Sequence, residues 1–224
     1  MNLRTKYPRT FHLPNSPNRS DDDKVLLNDS LFSNIDVVVT EKMDGENTAV
    51  YQDGYVHARS IDGTSKPWQS WLQAFVQSFC HEIPDGWRVC GENLYAKHSI
   101  DYDMCWDDQK SLFQVFSIYD DKNVCLSWND TIEFCWKLKI CHVPIIFKGK
   151  YDRNLIAESF KNYCLTANHE VEGYVVRSSA SFNYSDFQSN VAKYVRANHV
   201  QTDEHWTKHW TKTKLHPKDW FVPQ

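Results

Sequence analysis

Short runs of apolar, β-branched and aromatic residues alternate with turn-forming residues along the chain. The first run covers residues 35–41, and the second covers residues 48–52. Asp53-Gly54 then predicts a two-residue hairpin turn into a third run, residues 55–60. Further runs are found at residues 87–96, 111–119, 171–177 and 191–196. Each of these runs predicts a β-strand.

Three segments predict helices. Between Lys66 and His81 the apolar residues recur at helical spacing and form one wide apolar face, which indicates a core helix whose tryptophans pack. Ser127, followed three residues later by Asp130, predicts the capped start of a second helix. Leucine, isoleucine and aromatic residues on one side predict a third helix over residues 153–165.

The length of 224 residues suits one domain with a sizeable core. Residues 1–34 are polar and rich in turn-forming residues, so we expect an N-terminal arm with one short helical turn. Residues 35–200 carry the predicted strands and helices and form the main domain. Residues 201–224 form a basic and aromatic C-terminal extension.

Charge and cysteine content narrow the classes of protein that fit. A net charge of -4 excludes a uniformly basic coat, so any contact with nucleic acid must come from a local patch. The seven cysteines include no Cys-x-x-Cys pair, and the N-terminus lacks an apolar signal core. No run approaches the roughly 18 apolar residues of a membrane span. We therefore expect a soluble, reduced, cytoplasmic protein, in the host cytoplasm if it is viral.

Candidate chemistry begins at Lys42, which follows the first predicted strand. Asp44-Gly45 turns the chain directly afterwards, so the backbone presents the amine on a rigid element, where it can act as a nucleophile. The pattern Lys-x-Asp-Gly-x-Asn, which ends at Asn47, resembles the nucleotidyl-accepting motif of the covalent nucleotidyltransferases: DNA ligases, RNA ligases and mRNA capping enzymes. Taken alone, the pattern is more often a surface lysine beside a turn.

Two further segments resemble this family near the first motif. Arg59 ends the third predicted strand, where the family places an arginine near the reacting ends; the alternative is a solvated hairpin arginine. Glu92 lies in Gly-Glu-Asn-Leu-Tyr-Ala-Lys-His, which resembles the third family motif, in which the glutamate accepts from the ribose or holds the surroundings of the lysine. The alternative is an ion pair with Arg88 or Lys97.

The later motifs follow in the family's order. Phe116 lies at the position of an aromatic residue that stacks on the purine, although Ser117 stands where the family often has Asp, and core packing is the alternative. Glu172 precedes a glycine and a Tyr-Val-Val strand, as in the metal-binding motif of the family. Lys193 matches the first lysine of a Lys-x-Lys motif. Position 195 is Val, so Arg196 could replace the second lysine only if the strand bulges.

The resemblance covers about residues 35–200 and is nearest to the adenylyltransferase domain of the phage type-2 RNA ligase group. It implies an α+β fold, an ATP-grasp-like nucleotidyltransferase domain with mainly antiparallel sheets flanked by helices around a nucleotide cleft. It also implies an ATP-dependent RNA ligase that joins 3′-hydroxyl and 5′-phosphate RNA ends through a covalent lysyl-AMP intermediate and an adenylylated RNA 5′ end.

The resemblance assigns roles to these residues. Lys42 and Lys193 are the expected catalytic residues, and Glu172 is the expected ligand of Mg²⁺ or Mn²⁺. The expected ATP contacts are Glu41, Lys42, Asn47, Arg59, Glu92, Phe116, Glu172 and Lys193. Asp44 is expected to line the same pocket. A lysine with its ordinary pKa of about 10.4 is protonated at neutral pH, so we expect bound metal and cations such as Lys193 to lower the pKa of Lys42.

The C-terminal extension combines cations with aromatic rings, which suits RNA. Arg59, Arg196, Lys208 and Lys212 are the expected RNA contacts. The tryptophans could instead fold the extension back over the domain, and His205 with His209 has no third ligand for zinc.

Other functions remain open. A DNA ligase or a capping-type enzyme would carry an OB domain after the last motif, but only about thirty residues follow it. A non-catalytic RNA-binding relative would fit the irregular last motif. Whether sealing needs a protein partner is also open; no membrane partner is expected.

Overall fold

A computed structural model describes residues 4–61, 66–102, 112–197, 199 and 210–214. The fourteen strands in the described residues are β1 (Phe11–His12), β2 (Asp36–Glu41), β3 (Glu46–Tyr51), β4 (Val56–Ala58), β5 (Arg88–Asn93), β6 (Ala96–Lys97), β7 (Phe113–Tyr119), β8 (Val124–Cys125), β9 (Cys141–His142), β10 (Ile145–Lys150), β11 (Gly173–Ser178), β12 (Phe182–Asn183), β13 (Val191–Val195) and β14 (Thr211–Lys212). The helices are α1 (Ser70–Val76), α2 (Trp128–Leu138), α3 (Arg153–Thr166) and α4 (Phe187–Asn190).

Two sheets face each other across the domain. One has five strands in the order β1-β13-β11-β2-β10, and the other has the order β12-β8-β7-β5-β3-β4, with β9 beside β7. Strand pairs are antiparallel except β1 with β13 and β7 with β9. The predicted α+β class with mainly antiparallel sheets is therefore confirmed. Strands β2 and β3 belong to different sheets, so the turn after Lys42 carries the chain from one sheet to the other.

Three predicted helices are present, but the first is shorter than expected. Over residues 66–81 the structure has a 3-10 turn at Pro67–Gln69, then α1, then a second turn at Cys80–Glu82. The hydroxyl of Ser78 donates to the carbonyl of Phe75 at 2.7 Å, which competes with the helical hydrogen bonds. The apolar face is nevertheless buried, as predicted. The predicted cap of α2 is confirmed, since the Asp130 amide donates to the Ser127 hydroxyl at 3.2 Å.

The N-terminal segment, residues 4–34, contributes more structure than the expected arm. It contains the predicted helical turn, at Ser30–Phe32, but it also adds β1 to the edge of the five-stranded sheet. His12 stands opposite Lys193 in that pairing, and the Leu13 amide donates to the Lys193 carbonyl at 2.7 Å. The segment therefore lies against the strand that carries Lys193.

The C-terminal extension is described over residues 210–214. Strand β14 pairs with β6, and Trp210 packs against Trp68, with ring centroids 5.9 Å apart. This part of the extension folds back over the domain. Lys208, His205 and His209 lie outside the described residues. None of the described helices has the length and apolarity needed to cross a bilayer.

Candidate active site

Lys42 borders a cavity of about 490 Å³ between the two sheets. Its backbone amide donates to the carbonyl of Gly173 at 3.0 Å, which fixes the end of β2 against β11. A Cβ on Gly173 would lie 1.9 Å from the Tyr194 carbonyl oxygen, so only glycine fits beside Glu172 at this close approach of strands. Gly45 has the same role in the turn, since a Cβ there would lie 2.6 Å from the Asn93 carbonyl oxygen.

The Lys42 amine is paired with a carboxylate. Nζ lies 2.7 Å from Oε2 of Glu172, and the side chain of Glu172 is 7% exposed. Burial alone would lower the pKa of Lys42, but attraction to Glu172, Glu92 and Asp44 is stronger and raises it. The expectation that the surroundings lower the pKa of Lys42 is therefore wrong for the protein groups themselves.

Glu92 and Asn47 form the wall beside the amine. They stand opposite each other on β5 and β3, and both border the cavity. Oε1 of Glu92 accepts a hydrogen bond from the Gly45 amide at 3.1 Å, so the alternative pairing with Arg88 or Lys97 is not what the structure has. Burial raises the pKa of Glu92 to about 8, even though Lys42 opposes this. Oδ1 of Asn47 is buried without a hydrogen-bond partner among the described residues, so it is available to a ligand.

Phe116 borders the cavity on β7 and is partly buried. Its ring meets the ring of Tyr7 edge to face, with centroids 5.0 Å apart, and the hydroxyls of Tyr7 and Ser117 are 3.3 Å apart. The guanidinium of Arg177 donates to the carbonyls of Phe116 and Leu126, at 3.2 and 2.7 Å. Arg177 thereby holds β7 in place, and no local pattern in the sequence predicts this role.

Lys193 and Arg196 differ in position. Lys193 borders the cavity, whereas the guanidinium of Arg196 donates to the Val171 carbonyl at 2.7 Å and pairs with Glu170. Strand β13 pairs with β11 without a bulge. The condition for Arg196 to replace the second lysine is therefore not met, and Lys193 is the cation that β13 presents to the cavity among the described residues.

Three remaining residues take different positions. Arg59 follows β4 and borders the cavity as expected. The buried Glu41 also borders it, but its carboxylate accepts from the Tyr163 hydroxyl and lies 2.6 Å from Nε2 of His169. Lys212 lies on β14, over the ring of Tyr95 and not among the cavity residues.

The carboxylate of Asp44 makes its hydrogen bonds within the protein. Its carboxylate accepts from the amides of Ser99 and Ile100, so it fixes the loop after β6 and is not among the residues that border the cavity. Glu46 accepts from the side chains of Trp68 and Gln69, which ties β3 to the start of α1.

Sequence reasoning missed the contribution of the N-terminal segment. Six of its residues border the cavity: Tyr7, Pro8, Arg9, Thr10, Asp22 and Asp23. The polar composition of the segment carried no periodic signal for this, because several of its contacts, such as those of Tyr7 with Phe116 and of His12 with Lys193, join residues more than a hundred positions apart.

The donor atoms beside Lys42 fit a divalent cation. Ligand atoms of Asp44, Glu172 and His199 all lie within 4.8 Å of one another. Oxygen donors suit Mg²⁺ and Mn²⁺, and the imidazole favours Mn²⁺ over Mg²⁺. The role of Glu172 as a metal ligand stays a prediction, and Glu172 itself is not among the residues that border the cavity.

Comparisons with known proteins agree with this geometry. A sequence model of the RNA ligase family matches residues 35–195. An archaeal ATP-dependent RNA ligase structure is similar with a TM-score of 0.57 and 16% identity, over 85% of this chain and 48% of that chain. A Naegleria gruberi RNA ligase mutant with ATP and Mn is similar with a TM-score of 0.53 and 17% identity, over 93% and 62%.

A second Naegleria gruberi RNA ligase mutant with ATP and Mn has a TM-score of 0.52 and 19% identity, over 88% of this chain and 60% of that chain. These likenesses show that this chain shares the fold of the solved RNA ligases, as predicted. This chain spans about half to three-fifths of the length of the solved structures it matches. No curated protein sequence matches it.

Proposed function

Because the chain belongs to the RNA ligase family, we propose that it is an ATP-dependent RNA ligase whose nucleophile is the Lys42 amine. The observation that carries this proposal is the position of that amine. It lies at a cavity bordered by Glu92, Phe116 and Lys193, and it contacts Glu172 at 2.7 Å. A volume of about 490 Å³ is within the range of small-molecule sites.

In the first step, the nitrogen of Lys42 attacks the α-phosphorus of ATP. A nitrogen–phosphorus bond forms, the bond from the α-phosphorus to the bridging oxygen breaks, and pyrophosphate leaves. The ammonium of Lys42 must first lose its proton to solvent, since the pairing of Nζ with Oε2 of Glu172 at 2.7 Å stabilises the charged form. Lys193 faces the phosphoryl oxygens, on which negative charge grows during the attack.

The proton on Lys42 is the main obstacle to this step. Glu172, Glu92 and Asp44 together stabilise the ammonium form, which cannot attack. A divalent cation held by Glu172, with Asp44 and His199 near it, would offset these carboxylates and act as a Lewis acid at the phosphate. The mutants from Naegleria gruberi that contain ATP and Mn support this choice of nucleotide and metal.

The later steps use the same cavity. The 5′-phosphate of an RNA end attacks the lysyl-AMP, which frees Lys42 and gives an adenylylated end. A 3′-hydroxyl then attacks the 5′ phosphorus, forms the phosphodiester bond and releases AMP. Arg59 at the cavity border is the proposed contact for the RNA phosphate. We also propose that a protein partner takes part in sealing.

Labelling with radioactive nucleotide tests the proposal. The protein is incubated with α-labelled ATP or GTP and a divalent cation, and acid-stable label on protein is measured. We expect label from ATP, and transfer of that label to RNA with a 5′-phosphate in preference to the DNA of the same sequence. Label from GTP alone, or RNA binding without any label, would contradict the proposal.

A further inference from the structure

The N-terminal segment, residues 4–34, lies before the span that matches the family, residues 35–195, yet it forms one side of the cavity. Its strand β1 covers the free edge of β13, with His12 opposite Lys193. The hydroxyl of Ser16 accepts from the Val195 amide at 2.9 Å. Together with the hydrogen bond from the Leu13 amide to the Lys193 carbonyl, these contacts fix the backbone at the lysine and just after it.

The N-terminal segment also contacts the side-chain amine of Lys193. Oδ1 of Asp23 lies 3.4 Å from Nζ of Lys193, and the aspartate side chain is 12% exposed. Oδ2 of Asp23 accepts from both the amide and the hydroxyl of Ser20, at 3.0 and 2.9 Å. The orientation of the carboxylate is therefore set by its own turn and does not depend on the lysine.

Other charged groups surround this pair. Nε2 of His12 lies 3.3 Å and a guanidinium nitrogen of Arg9 lies 3.7 Å from the same Oδ1. Burial, helped by the Lys193 cation, lowers the pKa of His12 to about 4, so its ring is neutral at pH 7. Burial, opposed by Asp23 and Glu172 and reinforced by Lys42, lowers the pKa of Lys193. Asp23 thus counteracts the lowering of the Lys193 pKa.

We propose that Asp23 is a positioning residue for Lys193, which it holds extended into the cavity and in its charged form. This inference rests on the proposed function, in which Lys193 faces the phosphoryl oxygens. A lysine side chain has many rotamers, and ordering it in advance removes part of the entropy cost of meeting a phosphate. The N-terminal segment is then part of the catalytic apparatus rather than a peripheral extension.

The test compares Asp23→Asn with Asp21→Asn, a matched change two residues away on an exposed side chain outside the cavity lining. The asparagine can still accept from Ser20 but carries no charge. The first measurement is the acetylation rate of the Lys193 amine against pH, followed by mass spectrometry, which requires no ligase activity. We expect Asp23→Asn to lower the pKa of Lys193 by about half a unit or more, and Asp21→Asn to leave it unchanged.

The second measurement is the rate of lysyl-nucleotide formation at saturating ATP against pH. We expect Asp23→Asn to lower this rate by about tenfold or more, with a smaller change in KM. The rate of the variant should also begin to decline at a lower alkaline pH than the rate of the wild type. Asp23→Glu should recover part of the rate. A constant loss at every pH with an unchanged Lys193 titration would indicate a purely structural role and overturn the inference.

Failure of the proposed function and failure of the positioning role of Asp23 give different results. If the wild-type protein forms no lysyl-nucleotide, the proposed function fails and this inference fails with it. If the wild type is labelled but Asp23→Asn behaves as Asp21→Asn does, only the positioning role is overturned.

Discussion

Glu92 makes the stability of the protein depend on pH in a way that can be calculated. Burial raises its pKa from 4.5 to about 8 in the folded chain. Between these two values the folded state retains a proton that the unfolded state has lost, so the free energy of unfolding decreases as pH rises. At about 1.4 kcal/mol per pKa unit, the full shift corresponds to at most about 5 kcal/mol. Water entering a partly exposed cavity reduces the effect, and we expect about 1–3 kcal/mol.

Glu92→Gln isolates this effect, because glutamine is neutral and its oxygen can still accept from the Gly45 amide. Urea unfolding followed by tryptophan fluorescence at pH 5, 6.5 and 8 gives the free energy of unfolding of each protein. We expect the variant to gain stability relative to the wild type by about 1–3 kcal/mol between pH 5 and 8. Glu158→Gln, on the exposed side of α3, is the control and should show no such trend. A difference between Glu92→Gln and wild type that is the same at all three pH values would refute the reasoning.

Three further predictions concern binding and metal. Phe116→Ala should raise the KM for ATP about tenfold, since stacking on a base is worth about 1–3 kcal/mol. Phe116→Tyr keeps the ring and should leave the KM unchanged. Equal KM values for Phe116→Ala and wild type would show that the ring does not contact the base. Arg196→Ala should keep labelling within about threefold of wild type and cost about 0.5–1.5 kcal/mol of stability in urea, because its contacts are to Val171 and Glu170. Labelling as weak as in Lys193→Ala would contradict this. Chelation with EDTA should abolish labelling, and Mn²⁺ should restore it; full labelling in EDTA would argue against a metal at Glu172.

Local sequence signals predicted β2, β3, β4, β5, β7, β11 and β13, because alternation, turn residues and caps act over a few residues. They did not predict β10, which pairs with β2. The Ser127 cap is an example of a local signal that the structure confirms. The hairpin at Asp53-Gly54 also forms, but with three loop residues rather than the predicted two, since the Tyr51 amide donates to the Tyr55 carbonyl. The glycines after Asp44 and Glu172 were recognised only as parts of motifs. The structure supplies the reason for them, since neighbouring carbonyls leave no room for a Cβ.

Contacts between residues far apart in the chain could not be predicted from the sequence. The pKa of Lys42 depends on three carboxylates brought together from separate strands and turns, which outweigh the protein's own cations, so the expected lowering of that pKa rests on bound metal alone. Likewise, the contact of Asp23 with Lys193 joins residues that are 170 positions apart. A polar segment without periodicity gives no sign that it will border a cavity.

The central claim is that the Lys42 amine carries the nucleotide. The most direct measurement compares wild type with Lys42→Ala, first for acid-stable label from ATP and then for joining of RNA that is already adenylylated at its 5′ end. We expect the variant to lose all label and still join the activated ends, since the last step needs no covalent enzyme. Undiminished labelling of Lys42→Ala would contradict the account.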